Sequence, residues 1–530
     1  MSKKKALNER LGNLFETLIA AFSLLVFAVL SIVSLIQTCH IDIDYSRDNH
    51  EHVSFLSDNI LLNILILLIL VALAVLLMRV RVKRRTARWV GAIAIAVSAA
   101  IGVWWVLASK ALPVADSNSI ITVAQQLAQG KTGALTKNTY FYVFPFQTGY
   151  LLYAEGFFRL FGTDAITLFQ LSNVLLVCAA YIGVLKLSVI LFEDARVELL
   201  TAVLLGLCIQ PVLLSTFLYG TIPGMTLSIW SIYFTAKAMK QKRLVQLVPA
   251  AVLIALAALM KKNFLIVLIA EIIMLLIYAL RNKKAVTLAF AALMAALTFL
   301  LPTLVQKQYE SRADTSFGKG TPQMAWLVTG FRESSLCAGW FGSYTTSVLR
   351  DNDMDYDKTL AQNKADLKEQ LTMFASRPAY FASFMYKKIT SQWNEPAYQC
   401  IWSSAVGKRS GEISDLVTSL GKGEAGETLN AYFNQIMQFV YVSLTIGLAV
   451  LCFQKNERSE GRMIVPLILF GAALYHALFE AKAQYAIIYV PMMLPYAAFG
   501  IKRLHDRLTR KLFSKKSDGT EQPDAIATQN

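Results

Sequence analysis

Residues 59–88 read NILLNILILLILVALAVLLMRVRVKRRTAR. No charged side chain interrupts the run from Ile60 to Met78, which is close to the ~20 apolar residues that carry a helix across the hydrocarbon core. Arg79, Arg81, Lys83, Arg84, Arg85 and Arg88 follow at once. Lysine and arginine are retained on the cytoplasmic side of a bilayer, so the stretch reads as a membrane span that ends in the cytoplasm. The rest of the chain can be laid out from it.

Upstream, Lys3, Lys4, Lys5 and Arg10 precede an apolar run from about Leu14 to Ile36. That run is too long for a cleaved signal peptide, and no small-residue cleavage site follows it. It is expected to remain as the first helix. Downstream, apolar runs lie near 89–108, 165–192, 197–218, 222–239, 244–260, 263–280, 285–304, 432–453, 463–480 and 484–500, which makes twelve candidate spans. Basic residues fall in alternate connections: Lys237, Lys240, Lys242 and Arg243, then Arg281, Lys283 and Lys284, then Lys455, Arg458 and Arg462, and finally the tail from Lys502 to Lys516. This pattern predicts a multi-pass protein of the cell membrane with both termini cytoplasmic. It puts two long segments, 109–164 and 305–431, outside.

Composition points the same way. Of 530 residues 55% are hydrophobic and 16% charged, against about 25% charged in soluble proteins, which argues against a soluble cytosolic enzyme. The net charge of +16 is accounted for by topology, and no nucleic-acid partner is expected. The six cysteines are scattered without a C-x-x-C spacing, so neither a zinc site nor a disulfide framework is indicated. Pairing of Cys337 with Cys400 stays open.

The chain thus divides into an N-terminal transmembrane hairpin with cytoplasmic basic segments (1–88), a transmembrane core (89–304) whose first external loop is 109–164, an external domain (305–431), C-terminal transmembrane helices (432–500) and a basic, disordered cytoplasmic tail (501–530). The external domain holds Trp326, Trp340, Trp393 and Trp402.

Chemistry at a membrane surface needs ionisable groups where a bland protein would have none. Asp116 is the first, just beyond the helix-breaking Pro113 and well placed to N-cap the next helix. Lys261 and Lys262 are the second, a basic pair on the outside against the positive-inside trend, where they suit a phosphate-bearing anion. Snorkelling at a helix end is the plainer alternative. Glu480, Lys482 and Tyr485 are the third, in a minimal external loop. For metals the signals are weak: His50-x-His52 is too short a pattern, and the Asp351, Asp353, Asp355, Asp357 run lacks the glycine and glutamate of a calcium loop.

Taken in order, Asp116, the segment Tyr142–Gly149, Phe161-Gly162, Tyr219–Gly224, Lys261–Asn263, Gly339–Phe341, Gln392–Pro396 and Glu480–Tyr485 resemble motifs of the type C glycosyltransferases. They are more closely similar to the bacterial branch related to the dolichyl-phosphate-mannose protein mannosyltransferases (family 39), including similar Gram-positive membrane proteins. The resemblance runs from about residue 89 to 500. Two positions depart from it: Thr221 stands where relatives often carry an acidic residue, and Gln484 where they often carry arginine. The first two spans look like an addition to the core.

The resemblance implies an all-α polytopic membrane protein, a type C glycosyltransferase-like bundle of about 12 transmembrane helices with an external domain. It implies a transferase that moves a sugar from a polyprenyl-phosphate-linked donor to an acceptor hydroxyl on a glycan, lipid or protein at the outer face of the bilayer, by inversion. Asp116 would be the general base and Lys261, Lys262 and Lys482 the donor-phosphate ligands. Glu480, Tyr485, Trp340, Trp393 and Glu395 would orient substrates. A divalent metal is compatible with the family, but the sequence offers no clear site for one. The alternatives are a transporter or flippase of a lipid-linked or anionic solute, and a non-enzymatic scaffold of polysaccharide assembly.

Overall fold

The computed structural model describes residues 3–43, 51–136 and 139–517, with side chains from residue 8 to residue 510 within those ranges. His50 and the end of the polar tail lie outside the described residues.

Helices dominate. The N-terminal pair is α1 (Lys3–Ile36) and α2 (Ile60–Arg79). Asn59 starts α2 by accepting the Leu62 N–H at 3.1 Å, a cap that satisfies one of the helix's free donors. The core follows as α3 (Arg84–Ser109), α4 (Ala115–Ala128), α5 (Thr148–Phe161), α6 (Ile166–Phe192), α7 (Ala195–Leu207), α8 (Thr221–Gln241), α9 (Leu247–Met260), α10 (Leu265–Asn282) and α11 (Val286–Ala313). A segment with α12 (Met324–Gly330), α13 (Tyr356–Ser376) and α14 (Pro378–Trp393) leads to α15 (Glu424–Phe453), α16 (Glu460–Leu478) and α17 (Val490–Ser517). Helices α11 and α15 run past the expected edges at 304 and 432, so they extend into the intervening segment.

Among the described residues nine helices are long and apolar enough to cross a membrane, or ten if α7 and the bent continuation Gln210–Thr216 form one span. The sequence reading expects twelve. The other two, α8 and α9, fall short for different reasons. Helix α9 has only 14 residues, and α8 is rich in hydroxyls that the bundle satisfies from within: Thr226 donates to the Leu176 carbonyl at 2.9 Å, and Ser231 and Thr235 contact the Glu271 carboxyl of α10 at 2.9 and 3.0 Å. At the bundle's centre is α17, in a stretch whose apolar window is 94% buried, whereas that of α2 is 17% buried. A helix apolar all round faces either core or lipid, and these two illustrate both.

The first two spans are more than an appendage. Helix α1 packs along α15 and α16, and Arg281 of α10 donates to Glu16 of α1 at 2.7 and 2.9 Å, to Asn13 at 3.0 Å and to Glu460 at 3.1 Å. Glu16 is 2% exposed. Arg281→Ala strands that carboxylate and is expected to cost about 3 kcal/mol, read as a lower thermal midpoint of the detergent-solubilised protein. An unchanged midpoint would show that the cluster does not hold α1.

The connection between α1 and α2 forms an antiparallel hairpin, β1 (Gln37–Ile43) with β2 (Glu51–Ser57), in the register Gln37 opposite Ser57 and Ile43 opposite Glu51. Among the described residues it is an exception to a mainly helical architecture. Its apolar residues Ile41, Val53 and Phe55 pack on a core of Phe331, Leu336, Trp340, Phe374 and Phe384 in the segment between α11 and α15. In that segment Asp355 caps α13, accepting from the N–H groups of Asp357 and Lys358 at 2.9 and 3.0 Å. The aspartate run therefore serves a helix start. Cys337 and Cys400 are both buried and unbonded.

Candidate functional site

The backbone sets Asp116 in an unusual way. After α3 the chain turns through Lys110 (φ 47°), and Ala115 also sits at φ 47°. A Cβ-bearing residue there is strained by roughly 1–3 kcal/mol, a kind of strain that clusters at functional sites. Asp116 is the second residue of α4; the cap position is Val114, whose side chain makes no capping bond. The expectation that Asp116 caps the helix is thus corrected: its carboxylate lies in the first turn, where the helix dipole favours it, and is open to solvent on one side. Desolvation pushes its carboxyl above the ordinary range; the Lys482 ammonium foremost, then Tyr140 and Lys261, pull it back.

Lys261 comes from the break between α9 and α10. Its ammonium donates to the Thr221 hydroxyl at 3.0 Å and lies over the rings of Tyr219 and Tyr485, at 5.2 and 5.0 Å. The Tyr219–Gly224 motif has a packing reason: a Cβ on Gly220 would fall 2.0 Å from the Met260 carbonyl oxygen, so only glycine lets the start of α8 approach Lys261 this closely. Tyr219 in turn accepts a hydrogen bond from the Gln147 amide. Burial brings Lys261 down to about 7, with Asp116 opposing. Lys262 is exposed and lies over the Phe146 ring at 4.4 Å.

The loop between α16 and α17 closes the group. Glu480 accepts the Tyr485 hydroxyl at 2.7 Å, and burial pushes its carboxyl up to about 7, while Tyr485, Lys482 and Lys388 pull it back and Asp116 adds to the rise. The loop is fixed by the preceding segment: the Glu480 N–H donates to the Trp326 carbonyl at 3.0 Å and the Ala481 N–H to that of Gly339 at 2.8 Å. Lys388 of α14, fully buried, donates to the carbonyls of Gly330 and Ala477 at 2.6 and 2.9 Å. It thereby ties the end of α12 to the last turn of α16. Gly339, at φ 72°, leaves room for it, since a Cβ there would meet the Lys388 side chain at 2.7 Å.

Five of the expected residues, Asp116, Lys261, Glu480, Lys482 and Tyr485, therefore share one electrostatic neighbourhood, with Lys262 at its edge. Lys482 has its own partners: its ammonium meets Glu51 of β2 at 2.7 Å and lies over the Trp402 ring at 4.6 Å. Trp393 stacks on Tyr489 and meets Phe27 edge-on, inside the core. Glu395 accepts the N–H groups of Ala397 and Gln399 at 3.1 and 2.7 Å, which holds its own turn. Trp340 donates to Ser391 at 2.8 Å and lines a polar cleft with Arg332, Ser334 and Tyr344 that shares none of its lining with Asp116 or the lysines. All three are nearly fully buried, and the contacts just given are to the protein itself. Sequence reasoning missed Glu51, Tyr140 and Lys388, of which Tyr140 was within reach as a neighbour of the Tyr142–Gly149 motif. Among the described residues no group of three His, Cys, Asp or Glu is arranged to hold a metal ion.

Residues 145–305 match the sequence model of a family described as dolichyl-phosphate-mannose-protein mannosyltransferase. No curated protein matches the chain. The matched stretch takes in Gln147, Tyr219, Thr221 and Lys261, while Asp116, Glu51 and the Glu480–Tyr485 loop lie outside it. The match indicates a membrane glycosyltransferase of the mannosyltransferase type, in keeping with the apolar helices of a multi-pass membrane protein.

Proposed function

We propose that the chain transfers a sugar from a polyprenyl-phosphate carrier to an acceptor hydroxyl on the outer face of the cell membrane, with inversion at the anomeric carbon, in cell-envelope glycan or protein glycosylation. One observation carries this reading. A carboxylate on an exposed residue, Asp116, and an ammonium whose hydrogen bond among the described residues goes to a neutral hydroxyl, Lys261, come from separate segments to one site.

The chemistry follows from those two groups. Asp116 removes the proton as the acceptor oxygen bonds to the anomeric carbon, and the bond from that carbon to the donor phosphate oxygen breaks. A single displacement inverts the configuration. The departing group is a phosphate whose last pKa is about 6, so it leaves without a general acid. A fixed cation beside it stabilises the charge that grows in the transition state, and Lys261 is placed for this. Lys262, exposed at the edge, suits attraction of an anionic headgroup. Glu480, through Tyr485, holds one wall beside Lys261. Loss of a sugar decoration from the cell-envelope polymers of a deletion strain, by mass spectrometry, would support the reading; an unchanged envelope would contradict it.

The outer-face assignment rests on the basic loops and has its own test. Cys337 and Cys400 are too buried to report on it, so the exposed positions Lys368 and Lys455 serve instead. In intact cells an impermeant thiol reagent is expected to label Lys368→Cys and to spare Lys455→Cys. The reverse pattern would invert the topology.

A further inference from the structure

The lysines of the site differ in what already neutralises them. Lys261 is bonded to a hydroxyl, and Lys262 lies over an aromatic ring. Lys482, 14% exposed, is held at 2.7 Å by Glu51, which is itself fully buried. Gln399 donates to Glu51 Oε1 at 2.8 Å, and Glu51 Oε2 has no hydrogen-bond partner among the described residues. The hairpin that carries Glu51 is fastened in place: the Cys39 N–H donates to the Asn394 carbonyl at 3.0 Å and the Tyr386 hydroxyl to Gln37 at 2.7 Å. An element that precedes both the matched stretch and the resembling core thus sets a carboxylate against one of the site's cations.

This changes the charge that the site offers a phosphate. A sugar-bearing phosphodiester has a single negative charge, whereas the monoester left after transfer carries about −1.5 to −2 at neutral pH. Lys261 matches the first. The second charge of the monoester would need Lys482, which Glu51 has already neutralised, and Glu51 itself repels a dianion at short range. Resting on the donor reading above, we propose that Glu51 is a specificity-determining residue of the phosphate site: it tunes the site to a monoanionic phosphodiester and weakens its hold on dianionic phosphates, the spent carrier included.

The test uses the full-length protein in nanodiscs with two probes, farnesyl phosphate as the dianionic monoester and methyl farnesyl phosphate as the monoanionic diester. Glu51→Gln keeps a group that can accept from Gln399 and removes the charge. It is expected to tighten monoester binding by about tenfold and diester binding by much less. Lys482→Gln approaches the pair from the other side and leaves Glu51 unneutralised, so it should weaken the monoester more than the diester; it decides the matter if Glu51→Gln does not fold. An unchanged monoester-to-diester ratio in either folded variant, or equal shifts for both probes, would overturn the proposal. Failure of the unmodified protein to bind either probe would instead defeat the donor reading, and this inference with it.

Discussion

Asp116→Asn is expected to lower sugar transfer by about 100-fold or more, the usual range for loss of a positioned general base, while leaving the fold intact. The structure sharpens the second half of that statement. Because Asp116 is not the helix cap, asparagine gives up a first-turn dipole interaction of about 0.3–1 kcal/mol and the attraction of Lys482 and Lys261. Against this, partial desolvation raises the Asp116 carboxyl above its ordinary range. A carboxyl with a raised folded-state pKa detracts from stability once it ionises, above the unfolded value, and asparagine is free of that cost. The thermal midpoint at neutral pH should therefore stay put or rise slightly. Near-normal transfer by a folded Asp116→Asn protein would remove Asp116 from the chemistry.

The second large effect is expected at Lys261. A charge-assisted hydrogen bond contributes about 1.5–3 kcal/mol, so Lys261→Ala should raise the donor KM by about tenfold or more, and Lys262→Ala, at the exposed edge, by less. The pH profile gives an independent sign. Lys261 is brought down to about 7 by burial, so its charge is present below that value and is lost as pH rises through it. Donor kcat/KM should then fall above neutrality. Lys261→Arg, which stays charged at any working pH, should flatten that limb. An alkaline limb that survives in Lys261→Arg would assign the titration to another group, Glu480 being the nearest candidate.

Much of this arrangement is legible in the chain because a bilayer simplifies the problem. Apolar runs such as 60–78 can do little but span, and the basic clusters then fix the parity of each loop, which brings Asp116, Lys261 and Glu480 to one side before any contact is known. What escapes this logic is local. Helix α8 reads as a span from its apolar run at 222–239, yet it spends its polarity on hydroxyl contacts within the bundle and falls short of the helices apolar enough to cross a membrane. The β-hairpin leaves only a faint signal, the alternation of Val53 and Phe55 with Ser54, in a stretch that otherwise reads as a polar connection. Its consequence, a carboxylate on Lys482, joins residues at opposite ends of the chain and has no local signature. Trp340 and Trp393 show what motif likeness leaves out: both are buried, Trp393 stacked on Tyr489 and Trp340 on the wall of a separate polar cleft.

Reconstitution of the purified protein in proteoliposomes, with a polyprenyl-phosphate donor carrying a labelled sugar and a cell-envelope acceptor fraction, is the most direct test of the central claim. Label is expected to pass from lipid to acceptor in a new glycosidic bond of inverted anomeric configuration, and Asp116→Asn protein to fail to form it. Labelled lipid that merely changes leaflet, with no bond to the acceptor, would contradict the account and favour a flippase.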